Sequence, residues 1–131
     1  MRMDLAGAYP VPELERWWRT VELDRGVPRV TVEDRWRFAA DEDEPVPSAL
    51  HFLLAGHVEQ HAAGGVRVRA RAGSRPVLVT WRPRTLTAVL TPRALEDPML
   101  SAVWGEKLTR LALVVPNTRQ GVIDIRVEVD E

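Results

Sequence analysis

Residues 30–38, Val-Thr-Val-Glu-Asp-Arg-Trp-Arg-Phe, carry the clearest periodic signal in the chain. Val30, Val32, Trp36 and Phe38 alternate with Thr31, Glu33, Arg35 and Arg37, the period of two that gives a β-strand one apolar and one polar face. Immediately upstream, residues 17–23 put Trp17, Val21 and Leu23 on one face, and Asp24-Arg25-Gly26 supplies the turn between the two runs. The pair reads as a hairpin.

The pattern recurs in both directions. Leu50 to Val58 is almost continuously apolar, broken by His51, Gly56 and His57, and reads as a central strand with a bulge at the glycine. After Gly64-Gly65, Val66, Val68 and Ala70 alternate with Arg67, Arg69 and Arg71. Short β-favouring runs follow at Val77–Trp81 and Leu86–Thr91, separated by Arg82-Pro83-Arg84. Leu108–Val115 and Val122–Val129 flank the loop Pro116–Gly121 and read as a closing hairpin. Thr91-Pro92 and Asp97-Pro98 each resemble an N-cap with proline at N1, which predicts one or two short helical turns near 92–104. Asp41-Glu42-Asp43-Glu44-Pro45-Val46-Pro47 is acidic and proline-punctuated, unsuited to a sheet interior, and reads as a loop. About eight short strands without a helical repeat predict an all-β, antiparallel β-sandwich spanning residues 1–131 as a single domain.

The totals agree. With 131 residues, 45% of them hydrophobic and 28% charged, the chain is long enough to bury a core of its own and shows neither the polarity of a disordered segment nor a run fit to span a bilayer. It contains no cysteine, which excludes disulfides, thiolate metal sites and a cysteine nucleophile. A net charge of −1 gives no bulk attraction to nucleic acid or anionic membrane. Met1-Arg2-Met3-Asp4-Leu5 lacks the apolar core of a signal peptide, so the chain as written is expected in the cytoplasm; as a piece of a longer exported protein it would be secreted or periplasmic.

Several clusters are candidates for chemistry. His57, Glu59 and His61 form H-x-E-x-H, and residues two apart on a strand share a face, so the three are the metal-ligand candidates. The order and the strand context both differ from the helical H-E-x-x-H of zincins, and the plainer reading is a polar strand edge beside a turn. No G-x-S-x-G elbow and no glycine-rich phosphate loop occurs, so serine hydrolysis, nucleotide binding and a bound cofactor have no support. Glu33-Asp34 and Asp41–Glu44 read as solvated charge rather than a catalytic carboxylate pair.

Between His61 and Leu86 stand Arg67, Arg69, Arg71, Arg75, Arg82 and Arg84 with no acidic residue among them. Arg67, Arg69 and Arg71 share one strand face and suit bidentate recognition of carboxylates or sulfates, the chemistry of an acidic polysaccharide; the plainer reading pairs them with carboxylates on adjacent strands. Nucleic acid fits less well, because the stretch lacks the interleaved aromatics of a single-strand reader. Trp17 and Trp18 cannot both face inward, and the outward one, taken as Trp18, is the candidate sugar platform.

Ala8-Tyr9-Pro10, Trp18–Gly26 (WRTVELDRG), Val30–Arg35 (VTVEDR), Leu95–Leu100 (LEDPML), Val103-Trp104-Gly105 and Leu108–Leu111 (LTRL) together resemble the C-terminal β region of heparinase II/III-like proteins. The resemblance implies a part of a polysaccharide lyase that cleaves uronic-acid-containing glycans by β-elimination, built from an α/α toroid followed by β-sheet domains. The family's catalytic asparagine, tyrosine and histidine would then lie upstream of Met1. None maps onto this chain, since Tyr9 stands at the start of the β region and not in the catalytic tyrosine motif. The expectation is a non-catalytic module that supports the lyase, has the upstream toroid as partner and contacts acidic glycan through its arginines. Two readings stand beside it: a metal-dependent enzyme built on His57, Glu59 and His61, and an interaction domain that covers exposed apolar surface by forming a homodimer.

Overall fold

The computed structural model describes residues 1–39, 47–70 and 74–131. The chain is an all-β sandwich of two antiparallel sheets. Its elements are β1 (Arg2–Asp4), a 3-10 turn (Ala6–Ala8), β2 (Leu14–Asp24), β3 (Arg29–Phe38), β4 (Ala49–Ala55), β5 (His57–Gln60), β6 (Gly65–Arg69), β7 (Val77–Arg82), β8 (Ala88–Ala94), α1 (Pro98–Trp104), β9 (Lys107–Val114) and β10 (Gln120–Val129). The larger sheet runs β1-β2-β3-β10-β7-β6-β5 and the smaller β4-β9-β8. No helix among the described residues is long and apolar enough to cross a membrane.

β2 and β3 form the expected hairpin, with Trp17 opposite Trp36, Val21 opposite Val32 and Leu23 opposite Val30. At the turn, Asp24 Oδ1 accepts from the Gly26 N–H at 2.9 Å, a local bond that satisfies a backbone donor the ladder leaves free. The shared face of this hairpin looks into the sandwich. Trp17, Trp36 and Phe38 join Val66, Val68, Val79, Trp81, Ile123 and Ile125 from the larger sheet, and Leu50, Leu111 and Leu113 from the smaller, in one buried cluster.

Three expectations are corrected. Glu33-Asp34 is not a solvated pair: period two also places Asp34 on the Val30–Phe38 face, where it is fully buried. Arg19, directly across the ladder, binds it from Nε at 3.0 Å and from Nη2 at 3.1 Å, and the Trp17 indole N–H donates to the same carboxylate at 2.8 Å. A buried carboxylate survives because its partners replace the water it has lost. The other half of that expectation, Asp41–Glu44, lies outside the described residues.

Second, residues 50–58 are not one central strand. Gly56, at φ 119°, turns the chain between sheets, so that β4 edges the smaller sheet and β5 the larger. A side chain there would collide with the Arg69 carbonyl, which makes the corner a glycine position. Third, β9 and β10 are not a hairpin. β9 lies between β4 and β8, whereas β10 is central to the larger sheet between β3 and β7. Alternation identifies a strand and its faces but carries no information on the partner.

Of the two proline signals, only Asp97-Pro98 opens a helix, Asp97 Oδ1 accepting from the Met99 N–H at 2.8 Å. Pro92 lies inside β8, a free edge. The flanking bonds Val114 N to Thr87 O and Leu95 N to Glu106 O set the ladder parity so that odd-numbered residues of β8 bond inward. The nitrogen of Pro92 therefore faces outward, where a missing N–H costs no ladder bond.

The Arg19–Asp34–Trp17 cluster yields a stability prediction. Asp34→Ala leaves Arg19 partly buried without its counter-charge and is expected to cost about 3 kcal/mol, read from urea unfolding midpoints. A double variant, Arg19→Leu with Asp34→Leu, is expected to recover much of that loss.

Candidate functional site

The inner face of the larger sheet belongs to the core, so its chemistry lies on the outer face. There the register sets Thr31 on β3 beside Arg126 on β10 and Thr80 on β7, and one step along, Glu33, Asp124 and Arg82. The β5–β6 turn and Arg84 rise beside this floor, and Gly64 comes so close to Arg84 that a side chain at Gly64 would strike it. The result is a polar groove of about 440 Å³ that includes Thr31, His61, Arg82, Arg84, Asp124 and Arg126.

Charge pairing across this face is uneven. Arg29 is bound to Glu128 at 3.0 Å, Arg35 to Glu33, Arg37 to Glu15 at 3.1 Å and Arg69 to Glu59 at 3.1 Å. Arg35 holds the Glu33 carboxyl below its usual range, chiefly through their hydrogen bond. Arg82, Arg84 and Arg126 make no ion pair among the described residues. Asp124 stands across the ladder from Arg82 without closing a pair. The groove therefore offers planar cationic donors beside carboxylate and threonine acceptors, a combination that can hold a carboxylate or sulfate and bond sugar hydroxyls at once.

The arginines nominated from sequence are placed differently. Arg67 lies 2.6 Å from Asp130, a charge contact in which its buried Nε makes no hydrogen bond, and Arg69 bonds Glu59. These two are therefore engaged with carboxylates of neighbouring segments. Arg71 lies outside the described residues. Trp18 is the outward member of its pair, as expected, while Trp17 stacks on Trp36 at 5.5 Å between ring centres. The Trp18 ring is already in use: the Arg2 guanidinium lies 3.9 Å and that of Arg16 4.9 Å from its centre, cation–π contacts that occupy surface a pyranose would stack on.

His57 and Glu59 lie on β5, and His61 falls just past its end, where its N–H bonds the Gly65 carbonyl at 3.1 Å. No group of three His, Asp or Glu side chains gathers as a metal-ligand set among the described residues. His61 borders the polar groove instead.

Arg126 was not nominated from sequence. Its signal was present in the alternation Asp124, Arg126, Glu128 opposite Ile123, Ile125, Val127, but only the register sets it beside Thr80 and one step from Arg82. A second cavity, of about 240 Å³, opens at the sandwich end between Leu5, Leu14, Phe38 and Leu50, with Arg19 as its cation. Asp34 already neutralises that guanidinium and the walls are apolar, which suits it poorly to a hydrophilic polymer.

Comparison with protein-family models and with curated proteins finds no match. Because no three-ligand group gathers among the described residues, purified protein is expected to hold no stoichiometric zinc, and excess zinc to leave its melting temperature unchanged. Metal analysis and thermal melts check this; a bound ion lost in His57→Ala would contradict it.

Proposed function

We propose that this chain is a non-catalytic β-sandwich module of a heparinase II/III-like polysaccharide lyase, supporting the enzyme and contacting acidic glycan. The observation that carries the reading is the groove on the outer face of the larger sheet, where Arg82, Arg84 and Arg126 make no ion pair among the described residues while Arg29, Arg35, Arg37, Arg67 and Arg69 each lie against a carboxylate. An unpaired guanidinium in a cleft gains more from an incoming carboxylate than a surface arginine that must first give up its own. Asp124 and the threonines match the hydroxyls such a sugar carries beside its charge. The sequence resemblance supplies the enzyme class, and two of its segments, residues 18–26 and 30–35, fall on the β2–β3 hairpin against which β10 builds the groove floor. In this reading the toroid of the parent enzyme is the upstream partner, and the chemistry of β-elimination resides in that toroid and the early β region.

The test is binding of the purified chain to an array of uronic-acid-containing and sulfated glycans at low and moderate salt. Wild type is expected to bind in a salt-sensitive manner, and Arg82→Ala with Arg126→Ala to weaken binding at least tenfold. Arg67→Ala with Arg69→Ala, which removes paired arginines, is expected to stay within about threefold of wild type. Absence of glycan binding, or equal loss in both double variants, would sink the glycan contact.

A further inference from the structure

The two outer faces of the sandwich differ in kind. The larger sheet turns charge to solvent, whereas the smaller sheet turns out Ala49, His51, Leu53 and Ala55 of β4, Leu108, Arg110, Ala112 and Val114 of β9, and Val89, Thr91 and Arg93 of β8, as the register and the burial of Leu50, Leu111 and Leu113 on the opposite face require. Leu53 is 63% exposed and Val89 47%. The charged groups on this face are Arg93 and Arg110, beside His51, with no carboxylate among its residues. Arg93 and Arg110 make no ion pair among the described residues, and the Arg110 Nε is buried with no hydrogen-bond partner.

At the end of the same sheet, between β8 and β9, stands α1. It buries none of its residues in its own chain. Met99 and Val103, and Leu100 and Trp104, are spaced by four and form two adjacent apolar rows, with Met99 80% and Trp104 53% exposed. Glu96, Asp97 and Glu106 flank these rows, with Lys107 the opposing charge. A helix this short has no stability of its own to explain such a surface, and soluble proteins rarely leave a contiguous apolar patch of this extent uncovered.

We infer that the chain forms a two-fold dimer in which α1 of each copy lies on the outer face of the smaller sheet of the other. Sign of charge selects this arrangement. Packing sheet face on sheet face would bring Arg93 and Arg110 against their own copies, and helix on helix would oppose the acidic flanks. Helix on sheet sets Glu96 and Glu106 toward arginines and apolar rows toward Leu53, Val89 and Val114. Because α1 stands at the end of the sheet that it would cover in the partner, one two-fold axis makes both contacts together and closes the assembly. Leu53, Val89 and Val114 on the sheet and Met99, Val103 and Trp104 on the helix are all exposed, so the two contacts together draw on large apolar side chains from both elements of each copy. This surface faces away from the groove, and the inference does not depend on glycan binding.

Light scattering and sedimentation velocity on the purified 131-residue chain test it. Wild type is expected at twice the monomer mass, with Leu53→Glu and Val103→Glu each weakening association at least tenfold; both positions are exposed, so the fold should be kept, which circular dichroism checks. The arrangement itself is read from a mixture. Leu53→Glu keeps an intact helix and Val103→Glu an intact sheet, so their heterodimer retains one undamaged helix-on-sheet contact and is expected to associate more tightly than either variant alone. Arg110→Glu is expected to dissociate the dimer and Glu106→Arg, added to it, to restore association at least in part. A wild type that stays monomeric up to about 100 μM, or a mixture no tighter than its components, overturns the inference.

Discussion

The sandwich is organised around one buried carboxylate. Asp34 sits on the core face of β3 with no exposure to solvent, bound by Arg19 and by the Trp17 indole, and the stacked Trp17–Trp36 pair lies one step along the ladder. A carboxylate in that position is tolerated only if its donors arrive together, and they do so only in the observed register of β2 on β3. A slip by one residue would turn Trp17 outward and leave Asp34 buried and alone, a penalty far larger than the loss of a few apolar contacts. Arg19 also reaches across the sandwich, its guanidinium 5.9 Å from the Phe52 ring of the smaller sheet, so the same cluster touches both layers.

With the hairpin in place, β10 pairs with β3 and β7 pairs with β10, which determines what appears on the outer face. Residues far apart in the chain, Thr31, Thr80 and Arg126, become one row, and Asp124 and Arg82 the next. The carboxylates on this face are largely consumed by arginines near them in the sheet: Glu33 by Arg35, Glu59 by Arg69, Glu128 by Arg29. Arg82, Arg84 and Arg126, which border the groove, make no such pair among the described residues. The outer face of the smaller sheet has the reverse character, apolar with Arg93 and Arg110 making no ion pair among the described residues, so a polar cleft and an apolar face lie on opposite sides, suited to different kinds of contact.

The limits of reading the chain linearly are visible in particular residues. Period two marked β2, β3, β6 and β10 and their faces, because alternation is a property of a strand by itself. It did not show that Gly56 divides residues 50–58 between two sheets, since that depends on the approach of the Arg69 backbone, which comes from another strand. It did not show that β9 and β10 part company, since a short loop between strands allows either a hairpin or a passage between layers. For the site, Arg82 and Arg84 were visible as members of a basic run, but the difference between them and Arg67 or Arg69 is the position of Asp130 and Glu59, a fact of register and not of composition.

What the sequence by itself determined is the all-β class, the β2–β3 hairpin with its Asp24 turn, the Asp97-Pro98 start of α1 and the two faces of β2, β3, β6 and β10; these follow from periodicity and local hydrogen bonding, which act over a few residues. The tertiary structure alone decided which strands share a sheet, that Asp34 is buried against Arg19, that Trp18 is covered by Arg2 and Arg16, and which arginines keep their charge free. Those outcomes turn on pairings between residues distant in the chain, where one carboxylate within reach decides whether a guanidinium is neutralised or left to meet a ligand.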